Sequence, residues 1–300
     1  MTTASPYSVR SFLKAAASGL FYVLGAILFG MLAAALHTPI PDLNPPGTPP
    51  NLARFALCSA LMGLALLPLV LGTSSRRLVR ALFLFLLLFV CLGINSMIEV
   101  KLFTTYFVHG GMFTLILSTL LPALLCSFAL SCLLPSPLAT PAHGATLHSY
   151  SPASWLARIL LAILAFPLAY LAFGMAVGPF VVDYYRSGSS PLILPPLSAI
   201  MPLQVLRSSL FLLASAPFLF LWTRSRASLV FALGLAHWYL VGLFGLLQVT
   251  WFPPHLRVLH SLEIGADSFA YAAALVFLFV PRRRESTVPT PAHVAPMFPS

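Results

Sequence analysis

The chain has 300 residues, of which 59% are hydrophobic and 7% are charged, and its formal net charge is +10. A globular domain usually carries about 25% charged residues, so this chain lacks the polar surface that a water-soluble enzyme or binding module needs. Intrinsic disorder is excluded as well, because disordered chains are poor in apolar residues. The composition therefore predicts an integral membrane protein.

Eight segments approach the roughly 20 apolar residues that a transmembrane helix needs. They lie at about 15–36, 53–72, 79–99, 110–134, 156–181, 203–222, 228–250 and 261–281. None alternates between polar and apolar residues, which argues against an outer-membrane barrel. The first segment is longer than the apolar core of a signal peptide, so we expect it to be retained. The predicted fold is all-α, a polytopic membrane protein with eight transmembrane helices.

Lysine and arginine are divided unequally between the two sets of helix ends. Eleven of them fall at one set of ends, and the other set holds Arg54, Lys101, Arg186, Arg207 and Arg257. Since cytoplasmic loops carry the excess of basic residues, both termini are predicted to be cytoplasmic (N-in/C-in). The charge is then a topology signal, and no nucleic acid partner is expected. The strong preference for arginine over lysine favours a bacterial-type inner (plasma) membrane.

The span order divides the chain into two groups of four. We predict a first four-helix membrane half at 1–134, a cytoplasmic linker at 135–154, a second half at 155–284 and a disordered cytoplasmic tail at 285–300. The linker and the tail are rich in proline, serine and threonine, which is typical of irregular segments. Proline-rich outer segments at 37–51 and 187–202 follow the first span of each half.

Three short matches indicate an internal repeat. The segment 29–31 resembles 173–175, 73–76 resembles 223–226, and 98–103 resembles 247–252, in the same order along the chain. They favour two parallel 4-helix repeats, related by an axis along the membrane normal. Chance similarity between spans rich in leucine, alanine and phenylalanine is the alternative.

Polar residues within apolar spans are costly and mark functional sites. Glu263 and Asp267 share one face of the eighth span with His260. Arg207, about 22 Å from the inner end of its span, lies at a depth similar to that of Asp267. We therefore predict an ion pair between Arg207 and Asp267, with Arg54 as a shallower alternative partner. The pair could equally serve only to fix the packing of the helices.

Two further spans carry candidate polar residues. Asn95 and Glu99 share a face of the third span, where Glu99 is either a ligand group or an interfacial residue solvated near Lys101. His237 lies near the middle of the seventh span, where proton transfer, haem ligation and a hydrogen-bonded core position are the options. We favour the core position. The candidate polar site comprises Asp267, Arg207, Glu263, Glu99, Asn95, Arg54, His260 and His237.

Signatures of metal, cofactor and catalytic chemistry are missing. The four cysteines lie in apolar runs without CxxC spacing, and the outer-end histidines show no HxxxH or HExxH spacing, so neither a metal site nor a cofactor is predicted. GxSxG, P-loop and dinucleotide-binding motifs are absent too. The sequence identifies no catalytic residue and no protein partner. Gly30 and Ala34 are predicted to form a close helix-packing contact.

The best functional interpretation is a small-solute transporter or permease whose polar site lies in the outer half of the membrane. The first alternative is a membrane-embedded enzyme that acts on a lipid or lipid-linked substrate. It would use Glu263 or Glu99 with His260 for acid–base chemistry. The second alternative is a non-catalytic assembly or sensor subunit. The expected partners are the lipid bilayer and a small solute or lipid.

Overall fold

The computed structural model describes residues 7–38, 51–105, 111–136, 150–187 and 192–281. In these ranges the chain is helical and has no strands, and eight helices are long and apolar enough to cross a membrane. They are α1 (Val9–Ala35), α2 (Leu52–Gly72), α3 (Arg77–Phe103), α4 (Gly111–Leu133), α5 (Pro152–Arg186), α6 (Leu197–Leu221), α7 (Arg226–Gln248) and α8 (Pro254–Phe279). The eight predicted spans are thus confirmed as helices, as in a multi-pass membrane protein.

Helix α8 begins earlier than the sequence predicted, at Pro254 instead of near residue 261. The fixed φ angle of proline suits the first turn of a helix, where its missing N–H leaves no bond unmade. As a result, His255 and His260 lie on α8. The helix therefore begins about two turns before the predicted start of the eighth span.

The helices pack in two groups of four. In the first group α1 packs against α2 and α4, and α3 packs against α4; in the second, α5 packs against α6 and α8, and α7 packs against α8. The groups meet where α2 contacts α7 and where α3 contacts α6. A continuous apolar core, which includes Leu66, Leu87, Phe218 and Leu233, crosses this interface. Helix α5 is the least buried of the eight.

Arginines bind backbone carbonyls at one end of the bundle, which we call the basic end. Arg80 is fully buried and donates to the carbonyls of Ser131, Leu134 and Pro135 at 2.7 to 2.8 Å. Arg224 and Arg226 donate to carbonyls near the C-termini of α2 and α8. Carbonyls at the C-terminal end of a helix carry partial negative charge, and most of them lack a partner within the helix. The arginines therefore satisfy them and fasten neighbouring helices together.

The chain segments that follow α2 and α6 pair at the basic end. Thr73 and Trp222 form an isolated antiparallel bridge. The N–H of Ser74 donates to the Leu221 carbonyl at 2.9 Å, and the N–H of Thr223 donates to the Gly72 carbonyl at 3.0 Å. A Cβ atom at Gly72 would lie 2.1 Å from the Trp222 ring, so the approach of the two segments requires glycine there. This pairing joins the two groups of helices.

Helices α3 and α7 each contain a π-helical segment, at Phe89–Asn95 and Trp238–Leu243 respectively. A π-helical turn holds an extra residue, so it changes the direction of the side chains that follow, and it occurs often at functional sites. The segment in α3 ends at Asn95, one turn before Glu99. It therefore sets the orientation of both candidate residues toward α6.

Glycines allow close helix crossings, although not at the predicted position. A Cβ atom at Gly19 would lie 1.9 Å from the Ser59 carbonyl oxygen, and one at Gly63 would lie 2.0 Å from that of Ala15. In the described chain, a Cβ atom at Gly30 would meet nothing within 4 Å. The predicted packing contact at Gly30 is therefore wrong within the described residues, where no helix crosses α1 closely at this position.

Several predicted irregular segments lie wholly or largely outside the described residues. They are the tail at 285–300, most of the linker at 135–154 and most of the proline-rich segment 37–51.

Candidate functional site

Arg207 on α6 is the centre of a buried hydrogen-bond network. Its Nε donates to Asn95 Oδ1 at 2.6 Å and its Nη1 donates to Gln204 Oε1 at 3.0 Å. Its Nη2 forms an ion pair with Glu99 Oε1. Arg207 is 3% exposed, and Asn95 and Gln204 are fully buried. The network therefore fixes a positive charge between α3 and α6, inside the apolar bundle.

The orientation of the two amides follows from the chemistry of arginine. A guanidinium has donors and no acceptor, so the amide oxygens of Asn95 and Gln204 must face Arg207. The amide nitrogen of Gln204 then points away, and it is buried with no hydrogen-bond partner among the described residues. Two aromatic rings cover the guanidinium carbon, at 5.3 Å for Phe166 and 5.8 Å for Phe211, which adds cation–π attraction.

The predicted ion pair between Arg207 and Asp267 is wrong, because Arg207 pairs with Glu99. The depth along a helix could not show whether Glu99 or Asp267 is the partner of Arg207. The π-helical turns of α3 direct Glu99 toward Arg207, and the sequence does not show these turns. Lys101, the expected neighbour of Glu99, is exposed and does not join the network. The Glu99 side chain retains 30% exposure, so it links the buried arginine to the surface of the bundle.

Asp267 lies beside this network without joining it. The residue is 4% exposed, and it is close enough to Arg207 and Glu263 to interact with both electrostatically. Its Oδ1 atom is buried and accepts no hydrogen bond within the described chain. Burying a polar group without a partner is unfavourable, so this carboxyl group is the least satisfied part of the site.

A second pair forms on α8, further from the basic end. His260 Nδ1 and Glu263 Oε2 are 3.0 Å apart, and His260 Nε2 is 3.1 Å from the Tyr185 hydroxyl. The imidazole also stacks on Phe252, with ring centroids 5.4 Å apart. Glu263 and His260 lie within electrostatic range of Glu99. We use the name polar cluster for Asn95, Glu99, Gln204, Arg207, His260, Glu263 and Asp267.

His237 occupies a separate, deeper position. It is 2% exposed, its Nε2 lies 3.1 Å from the Ser215 hydroxyl, and its ring is 6.0 Å from that of Tyr271. The Tyr271 hydroxyl in turn donates to the Ser208 carbonyl at 3.0 Å. This geometry agrees with a hydrogen-bonded core histidine. No group of metal-binding side chains is present in the described ranges.

Arg54, like His237, lies apart from the polar cluster. It lies on the first turns of α2, where Asn51 caps the helix by accepting the backbone N–H of Arg54 at 2.9 Å. Its Nη1 is buried without a partner in the described chain, and no contact joins it to Asp267 there.

Sequence reasoning missed three participants: Gln204, Phe166 and Tyr185. Gln204 precedes Arg207 by three residues and so shares its helical face, a signal that could have identified it. Phe166 and Tyr185 lie on α5, and no local pattern distinguishes them from the many other aromatic residues of the chain.

The fold and the site define a polytopic helical membrane protein with a buried, charged polar cluster between its two groups of helices. No known family model, curated protein or solved structure matches the chain.

Proposed function

We propose that the protein is a membrane transporter for a small charged solute and that the polar cluster is its binding site. The observation that carries the proposal is the ion pair between Arg207 and Glu99, which joins the two groups of helices inside the apolar bundle. Charged residues at such depth line substrate or ion pathways in membrane proteins. The partial exposure of Glu99 gives the cluster access from the end opposite the basic end.

The two groups are proposed to be parallel four-helix repeats. A single offset of 149 residues relates the ends of α2 and α6 (72 and 221), the starts of α3 and α7 (77 and 226) and the starts of their π-helical segments (89 and 238). The two residues of the antiparallel bridge, Thr73 and Trp222, are also 149 residues apart. The same offset converts the hydrogen bond from Ser74 to Leu221 into the one from Thr223 to Gly72. Such symmetry supports a two-fold axis through the bridge, along the membrane normal.

The two proposed repeats meet at two related interfaces, α3 with α6 and α2 with α7. The polar site would then exist only at the first of them. At the offset of 149, Arg207 corresponds to Cys58 and Asn95 corresponds to Phe244. At that interface Tyr22, Phe55 and Phe244 pack edge to face, with ring centroids 5.5 to 6.0 Å apart. The interface of α2 with α7 thus holds an aromatic cluster, and that of α3 with α6 holds charged residues. This difference favours a single transport site between α3 and α6, with the interface of α2 and α7 as a structural contact.

The proposed location is a bacterial-type inner membrane, with the basic end and both termini in the cytoplasm. The arginines gathered at the basic end support this orientation. Alkaline phosphatase fused after Thr38 should be active, because that reporter folds only outside the cytoplasm, whereas fusion after Arg76 should give no activity. The reverse pattern would invert the topology.

Transport is tested by uptake into membrane vesicles that contain the protein. A panel of radiolabelled small organic cations, amino acids and organic anions is offered in the presence of an energised membrane. At least one should accumulate with the wild-type protein and fail to do so with R207Q, which removes the central charge. K101Q is the matched control. Lys101 is an exposed charge on α3, two residues after Glu99, and lies outside the polar cluster. Equal accumulation in wild-type and R207Q vesicles would exclude the site.

One observation favours a second candidate, a membrane-embedded enzyme that acts on a lipid or lipid-linked substrate. Glu263, His260 and Tyr185 form a continuous hydrogen-bonded chain, and a carboxylate that orients a histidine is a common acid–base arrangement. Purified protein incubated with a labelled lipid extract would then release a modified lipid, and H260Q would abolish that product. Absence of any product with the wild-type protein would remove this candidate.

A further inference from the structure

Asp267 differs from the other carboxyl groups of the polar cluster. Glu99 is paired with Arg207, and Glu263 is paired with His260. In the described chain, Asp267 takes part in neither an ion pair nor a hydrogen bond through its buried Oδ1. An ionised carboxylate in this position would be strongly unfavourable, so the group needs either a proton or a cationic partner.

Among the described residues, the surroundings of Asp267 offer one cation, Arg207, and it is already paired with Glu99. The ionisable groups around Asp267 are Glu263 on its own helix, Tyr170 on α5, Arg207 on α6 and, beside Tyr271, His237 on α7. Glu263 repels a negative charge on Asp267, and Tyr170 supplies no positive charge. His237 is hydrogen-bonded to Ser215. Arg207 alone among these groups could stabilise an Asp267 carboxylate, and it would have to leave Glu99 to do so.

We propose that Asp267 is a proton-binding site whose ionisation moves Arg207 from Glu99 to Asp267. With the proton bound, the neutral Asp267 needs no cation and Arg207 stays with Glu99, which is the arrangement in the structure. When the O–H bond breaks and the proton passes to water, the new carboxylate attracts Arg207. Glu99, whose side chain is 30% exposed, is then solvated by water in place of the arginine.

The tight packing of the site explains why the ligand is a proton. Asp267 is 4% exposed, so in this arrangement its carboxyl group is closed to the solute, which would meet the cluster at the partly exposed Glu99. The exchange also joins different helix groups, since Glu99 lies on α3 and Asp267 on α8. The inference rests on the proposed transport function, to which it adds the proton as the coupled ion.

Infrared difference spectroscopy tests this directly in purified protein in lipid nanodiscs. A protonated buried carboxyl group gives a carbonyl stretching band that disappears when the pH is raised. We expect this band in the wild-type protein and expect it to shift in protein labelled with ¹³C-aspartate. Of the three aspartates, Asp42, Asp183 and Asp267, the last lies within a buried helix face. The band should be lost in D267N and retained in D183N, which removes an exposed aspartate outside the polar cluster.

The exchange of Arg207 gives a further result. In E99Q the arginine loses its carboxylate partner, so the band should weaken at the pH at which the wild-type band is full. If D267N does not fold, D267E keeps a carboxyl group and should move the band instead of abolishing it. A wild-type spectrum without an aspartate band, or an unchanged band in E99Q, would overturn the proposal.

The infrared measurement needs no transported solute, which separates the two proposals. Solute uptake without an aspartate band would overturn proton binding and leave transport intact. A band that behaves as expected, in a protein that accumulates no solute, would overturn transport and leave proton binding intact.

Discussion

Arg207 on α6 forms an ion pair with Glu99 on α3, and this pair crosses the boundary between the two groups of four helices. The guanidinium is almost completely buried, whereas the carboxylate is partly exposed. The two partners therefore differ in what their removal leaves behind. Without Arg207, two buried amide oxygens lose their donor, and without Glu99, a buried cation loses its counter-charge.

Both single substitutions should destabilise the protein. R207M is expected to lower the free energy of unfolding by about 3–5 kcal/mol, the usual effect of removing one partner of a buried ion pair. E99Q should cost a similar amount, because the guanidinium that it leaves without a counter-charge is buried. The double variant R207M/E99Q should lose less than the sum of the two. Chemical unfolding in mixed micelles measures these values, with K101Q as the neutral control. Strict additivity would show that the pair contributes nothing.

Much of the fold was predictable because a transmembrane helix needs only a long apolar run. All eight spans were located, and the grouping of arginines at one set of ends agrees with the position of Arg80, Arg224 and Arg226. The helix start at Pro254 was missed, since the first turn of α8 carries His255 and Arg257 and lies outside the apolar run. Polar residues at a helix end are tolerated where the helix leaves the apolar layer.

The candidate site was predictable as a set of residues but not as a set of contacts. Asn95, Glu99 and Arg207 were identified because polar groups inside apolar spans are costly. Their pairing depends on the π-helical turns of α3 and on which helices are neighbours. Neither property is encoded in a local pattern. For this reason the sequence predicted Asp267 as the ion-pair partner of Arg207, whereas the partner in the structure is Glu99.

Arg80 should be essential for the stability of the basic end. It is fully buried and donates to three carbonyls at the end of α4 and to one in α2. R80A leaves these acceptors unpaired, and charged hydrogen bonds contribute roughly 1.5–3 kcal/mol each, so a loss of several kcal/mol is expected. R77A removes the same charge one turn earlier, from an exposed position, and should change the stability by less than about 0.5 kcal/mol. Equal effects of the two substitutions on thermal unfolding in detergent would contradict the assignment.

Substitutions at two glycines should have opposite effects. In G63A the new Cβ atom would lie 2.0 Å from the Ala15 carbonyl oxygen. The helices α1 and α2 must then separate, at a cost of about 1–3 kcal/mol. In G30A the Cβ atom meets no described neighbour, and alanine favours a helix over glycine by about 1 kcal/mol. The melting temperature should therefore fall for G63A and rise or stay constant for G30A. A fall of the same size in both would show that α1 packs differently.

His237 and Ser215 should behave as a structural pair. S215A leaves the buried imidazole nitrogen without its partner, which costs about 1–3 kcal/mol. In H237Q the amide side chain can still reach the Ser215 hydroxyl, so stability near that of the wild-type protein is expected. Because the histidine has no ionic partner in the described chain, the substitution should also leave uptake into vesicles unchanged. Retained stability together with lost uptake would instead identify His237 as a proton relay, since glutamine preserves the hydrogen bond but cannot carry a proton.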